Sequence, residues 1–200
     1  MIKFFAIGIL VIFVCTGCLQ FDTTKLTLNF DSKGGVSGKL KREYINLSSS
    51  AKIPENIKEA AKLEDAKLKY EKQLNTDYND LIDKWKNDKF IDETLKDLSI
   101  AIEKRNVYLK NDNINGEYEG KFDAKALEKM NFFFIENQRA CILPKSAGVL
   151  DDTDGKIIST GSYYLVLWPK DKKSIYFIQS PMKTKNNRNL LSRWQKSNKK

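Results

Sequence analysis

The 200-residue chain contains no histidine, which removes the side chain that most often shuttles protons and binds metals near neutral pH. Catalytic triads and zinc sites built on imidazole are therefore excluded. Cysteine is almost as scarce, with Cys15, Cys18 and Cys141 the only three, so no disulfide framework can hold the fold together. There is no phosphate-binding glycine loop and no dinucleotide fingerprint. The longest apolar run, Phe4 to Val14, is too short to cross a bilayer as a helix. What remains is an ordinary hydrophobic share of 41% against 30% charged residues, enough for one packed domain.

That apolar run follows Met1-Ile2-Lys3 and precedes Cys15-Thr16-Gly17-Cys18, the layout of a secretory signal: one positive charge, an apolar stretch, then small residues before a cut. Thr16-Gly17-Cys18 resembles the lipobox of bacterial lipoproteins. Cys15 stands where that pattern prefers Leu, as in the looser boxes of spirochaetes. The resemblance implies that residues 1–17 are removed and that Cys18 is acylated, giving palmitate-type chains that hold the mature chain to membrane lipid. One acyl chain binds marginally, whereas two or three hold persistently. Residues 18–24 then form a tether reaching at most about 20 Å. Leu19-Gln20 lacks the Asp that retains enteric lipoproteins in the inner membrane, so the expected location is the bacterial cell envelope, the outer membrane favoured. Cys141 is left without a partner in the apolar run Ala140–Leu143, where a small buried hydrophobe is expected.

Charge is uneven. The tail 183–200 contains Lys183, Lys185, Arg188, Arg193, Lys196, Lys199 and Lys200 and no acid, so the formal charge of +9 belongs mainly to it. Leu190, Leu191 and Trp194 are spaced as on one helical turn. Lys183, Lys185, Arg188, Arg193, Trp194 and Lys196 together suit contact with anionic headgroups, the alternative being a solvated, disordered end. Nucleic acid is not expected as a partner of an exported chain.

The body, 25–182, reads as strands, then helices, then strands. Leu26, Leu28 and Phe30 alternate with polar residues, and Val36, Leu40 and Tyr44 continue on one parity beyond Gly34-Gly35, giving a hairpin with one wet face. Steps of three and four over Ala60–Leu74, Tyr78–Trp85 and Ile91–Ile102 predict three amphipathic helices within an insertion at 54–104. Asn113–Gly116 reads as a turn between alternating segments, and Asp123 as the cap of a short helix. In Tyr163–Trp168 and Ile175–Ile178 both parities are apolar, so both faces should be covered, by the core on one side and by a second layer, lipid or partner on the other. The expected class is α+β: an antiparallel sheet of hairpins with the three helices on one face.

Leu26–Asp31 with Gly34–Gly38, and Gly116–Asp123, resemble segments of the LppM-like envelope lipoproteins, whose exported domain also follows a lipobox. That likeness implies envelope lipid handling and names no catalytic residue.

Three chemical motifs fail on inspection. Ser49-Ser50-Ala51-Lys52 has S-x-x-K spacing, but Lys183-Thr184-Lys185 lacks the glycine of its usual companion. Asp151–Gly155 resembles part of a calcium loop, yet places Leu150 and Gly161 at its first and last ligand positions. Glu117 and Glu119 share a strand face without any sign of a cleft. No catalytic residue, metal ligand or cofactor is therefore expected. The sequence leads to a non-enzymatic, membrane-anchored envelope lipoprotein whose Tyr163, Tyr164, Trp168, Tyr176 and Phe177 contact an envelope or host protein or a lipid. The alternative is a lipid-binding carrier or sensor with a cavity behind those strands.

Overall fold

The structure, a computed structural model, describes residues 19–55, 57–87, 95–182 and 189–197. Among these residues the chain forms three antiparallel sheets. The largest has six strands, in the order β5 (Ala101–Lys110), β6 (Asn113–Phe122), β3 (Gly38–Ile45), β2 (Thr23–Phe30), β12 (Ser174–Ser180) and β9 (Val149–Thr153). A four-stranded sheet runs β10 (Lys156–Ser159), β11 (Tyr163–Pro169), β8 (Gln138–Pro144) and β7 (Phe132–Ile135). A two-residue ladder joins β1 (Leu19–Gln20) to β4 (Ser48–Ser49). The helices are α1 (Ala60–Asn87), α2 (Ala124–Lys129) and α3 (Leu191–Ser197).

Alternation sets the faces of the large sheet. Leu26, Leu28, Phe30, Leu40, Tyr44, Tyr118, Phe122, Ile175 and Phe177 are buried on its inner face. The small sheet and α2 cover part of that face through Phe132, Trp168, Leu127 and Met130, and α1 covers the rest through Leu74, Leu81 and Trp85, all within one core. Trp85 meets the Tyr44 ring edge-on at 5.3 Å, and Phe30 meets Phe122 in the same way at 5.4 Å. The outer face carries a lattice of charge: Lys41 bridges Glu43 and Glu117 at 3.5 and 2.9 Å, and Lys104 approaches Glu117 and Glu119.

The α+β class with a three-helix insertion is not what forms; the chain is mostly β. The first two expected helices are one continuous helix, α1, because no breaker separates Leu74 from Tyr78. Its first half projects, with Leu68 70% exposed, and packing begins at Tyr70 and Leu74. The third helix was expected to reach Ile102, but Ile102 lies in β5. Of that stretch, 88–94 lies outside the described residues, 95–97 is helical, and Ser99 at a φ of 60° turns the chain before β5 begins at Ala101. Ile102 has helical spacing from Leu98, but its burial comes from pairing with Gly120 of β6.

Other elements also differ. The turn expected at Asn113–Gly116 sits at Asn111-Asp112, both at positive φ (53° and 57°), which suits a tight hairpin and leaves Asn113–Gly116 as strand. Asp123 does cap α2, its Oδ1 accepting from the Ala126 N–H at 2.8 Å. Val36 is 41% exposed and does not join the Leu40–Tyr44 face.

Candidate functional site

The register of the small sheet separates two apolar faces. Leu165 pairs with Ile142 and Ile158, Leu167 with Ala140 and Lys156, Tyr163 with Pro144, and Phe133 with Ala140. Directly paired residues share a face. One face thus presents Phe133, Ile142, Ile158, Tyr163, Leu165 and Leu167, and the other presents Phe132, Cys141, Leu143, Tyr164, Val166 and Trp168. The second set packs in the core cluster and the first does not, although Leu167 of the first is itself buried. Ile158 and Tyr163 are 42% and 39% exposed, Ile135 on the same face is 41% exposed, and Leu165 is half-buried. The strand with two apolar parities therefore covers the core with one face and leaves the other open, and this outer face is the candidate interaction surface.

The five aromatic residues singled out in the sequence do not form one surface. Tyr163 lies on the outer face of the small sheet. Tyr164 is half-buried on the inner face, with Lys145 Nζ 5.1 Å from its ring centre, and Trp168 is fully buried and stacked on Phe132. Phe177 is buried on the inner face of the large sheet. Tyr176 points to the outer face of that sheet, where its hydroxyl donates to Asp152 at 3.0 Å and Lys25 lies over its ring. The separation arises because consecutive strands β11 and β12 enter different sheets. The apolar run Phe132–Ile135 reads in the sequence as wholly buried, yet Phe134 and Ile135 are 40% and 41% exposed, and Ile142 and Ile158 are not singled out there as surface residues. Their signal was the apolar runs on neighbouring strands, legible only once those strands pair.

Chemistry at the other motifs is closed off. Ser49 is fully buried; its hydroxyl donates to Asp77, whose other carboxylate oxygen accepts from Gln73 at 2.7 Å, while Lys52 is exposed. Burial pushes Glu117 up, but the hydrogen bond from Lys41 and the charges of Lys41 and Lys104 outweigh it and hold this carboxyl below its ordinary range. Asp154, in the acidic turn, is a structural tie. Its Oδ1 accepts from Trp168 Nε1 at 2.8 Å and from the Tyr176 N–H at 3.0 Å, and its Oδ2 faces Lys172 Nζ at 2.9 Å. Cys141 is fully buried, and burial raises its thiol far above the range in which thiolates form. Among the described residues no three His, Cys, Asp or Glu side chains gather as a metal site.

Cys18, Lys183, Lys185 and Arg188 lie outside the described residues. The rest of the tail is placed against α1. Arg193 pairs with Glu71 at 2.6 Å and donates to Asn75, Leu190 is fully buried, Trp194 is half-buried, and Lys196 is exposed. Asn189 joins the tail to β4, its Oδ1 accepting from the Ser49 N–H and its Nδ2 donating to the Ser49 carbonyl, both at 2.9 Å. No described helix is long and apolar enough to cross a membrane.

Comparison with known proteins gives no relative: no family model matches the chain, and neither a curated protein nor a solved structure is significantly similar to it.

Proposed function

We propose that the mature chain is a non-enzymatic lipoprotein of the bacterial envelope, held to membrane lipid through acylated Cys18, that binds another envelope protein through the outer face of its small sheet. One observation carries the binding role: Phe133, Ile135, Ile142, Ile158, Tyr163 and Leu165 form an apolar face on a sheet whose other side already fills the core. A soluble domain seldom leaves such a face without a use. Against it, the outer face of the large sheet is charged and paired, as a solvated surface is.

The carrier reading is less well supported, because the narrow space between the sheets, lined by Leu26, Phe132, Leu143 and Phe177, measures about 30 Å³. A bound lipid needs roughly ten times that. A photo-crosslinking residue at Tyr163 or Leu165, introduced in the producing cell, is expected to give protein adducts that are absent when it replaces Tyr176. Adducts at Tyr176 alone, or none at any of the three, would refute the surface. Incorporation of labelled palmitate, expected in the wild type and lost in Cys18→Ser, tests the anchor separately.

A further inference from the structure

Two arginines lie inside the apolar core, Arg139 fully buried and Arg42 only 6% exposed. Neither has a carboxylate within ion-pairing distance among the described residues. A buried charge without a counter-charge is costly unless other groups solvate it.

Arg139 is solvated by its surroundings. Nη1 donates to the Lys172 carbonyl at 3.2 Å, Nη2 to the Gly35 carbonyl at 3.1 Å, and the guanidinium lies 3.4 Å over the Phe30 ring. Arg42 has the Tyr118 hydroxyl beside it but no carbonyl or carboxylate acceptor. Its guanidinium stands 5.3 Å from the Tyr44 ring centre and beside the Tyr118 hydroxyl, while its Nε and the Gln179 amide nitrogen are buried without a hydrogen-bond partner. Burial opposes the charge on Arg42, while the neighbouring Tyr44 and Tyr118 hydroxyls act in the other direction and keep it.

Arg42 and Gln179 both line the narrow, partly open space between the sheets, with Thr24 and Asn131 beside them and Leu26, Met130, Phe132, Ile142, Leu143 and Phe177 as apolar walls. Unused donors thus meet a small space that contains no acidic side chain. We propose that this space binds a small carboxylate, held by the Arg42 guanidinium and the Gln179 amide. The planar guanidinium fork matches a carboxylate, and the pairing supplies the missing counter-charge. Size limits the ligand. One water needs about 10–15 Å³ by this measure, so 30 Å³ admits a group of a few heavy atoms. The apolar walls suit a short hydrocarbon substituent and disfavour phosphate or sulfate, which would leave anionic oxygens against Phe132 and Phe177. The site lies behind the small sheet, and of the outer-face residues only Ile142 also lines it.

The test uses the full mature lipoprotein in nonionic detergent, with formate, acetate and butyrate titrated at an ionic strength held constant with sulfate. The wild type is expected to melt several degrees higher as carboxylate rises, formate and acetate acting at lower concentration than butyrate, whose chain exceeds the space, and to broaden the ¹³C signal of labelled acetate. Arg42→Met, which keeps the volume and removes the charge, is expected to show neither response, and Gln179→Leu a weaker one. Equal melting shifts in wild type and Arg42→Met, or wild type that neither broadens acetate nor gains stability, would overturn the site. The acetate measurement on wild type decides the matter even if Arg42→Met does not fold.

Discussion

Asp154 holds the indole of Trp168 with a carboxylate oxygen, Oδ1 accepting from Nε1 at 2.8 Å, and the same oxygen accepts from the backbone N–H of Tyr176. Trp168 belongs to the small sheet and Tyr176 to the large one, so a single acid in a short turn ties the layers together at the chain crossing between them. Burial raises the Asp154 carboxyl, but these hydrogen bonds and the Lys172 ammonium outweigh it and leave the pKa lowered.

A pH dependence follows. A carboxyl whose folded value is depressed contributes stability above its unfolded value of about 3.9, and that contribution is lost as pH falls through the folded value. Asp154→Asn is expected to lose about 1–3 kcal/mol at pH 7 by urea denaturation. The gap between the two proteins should close on acidification below about pH 4. A gap unchanged down to pH 2 would mean that the charge on Asp154 does not matter.

Gly116 illustrates close packing under α1. A Cβ placed there would lie 2.6 Å from the Trp85 ring and 2.9 Å from Leu47 Cδ1. Gly116→Ala should displace the indole from Tyr44 and Tyr118, costing about 1–3 kcal/mol and altering tryptophan fluorescence in the native state. Gly161, which has nothing within 4 Å of such a Cβ, is the control, and its alanine variant should unfold as wild type does.

Neighbouring residues of β11 should respond in opposite ways. Leu165→Asp places a charge on the open face and is expected to shift stability by less than about 1 kcal/mol while abolishing crosslinks from position 163. Val166→Asp buries an unpaired charge in the core and should prevent folding at moderate temperature. Comparable destabilisation by both would show that the outer face is also packed.

Cys141 should resist thiol reagents in the native protein and react at a rate set by unfolding, since its Sγ is enclosed and directed at the Met130 carbonyl, 3.7 Å away. Rapid native labelling would contradict its placement.

The sequence exposes those parts of this fold that depend on local pattern. The alternation over Leu26–Phe30 and Leu40–Tyr44, the cap at Asp123 and the concealment of Cys141 all follow from residue type and spacing. Pairing across long distances does not. Nothing local in Tyr163–Ile178 says that Trp168 and Ile175 enter different sheets, and that division buries Trp168 and Phe177 while opening a face at Leu165 and Ile142. Ile102 has the spacing of a helix and the partner of a strand, and the partner prevails because β6 offers it a ladder. Arg42 shares the parity of Leu40 and Tyr44, so alternation places it on their face; what the pattern does not show is that the small sheet closes over it.

Leu19 and Asn189 reach the same residue, Leu19 through the β1–β4 ladder and Asn189 through its side-chain amide on Ser49. If Cys18 carries the proposed acyl anchor, one residue before Leu19, any drag between the lipid and the folded body enters at that junction. The load is divided there between the sheet and the carboxyl-terminal helix, so the first element to yield under traction is a two-rung splice, and the main sheets behind it need not open.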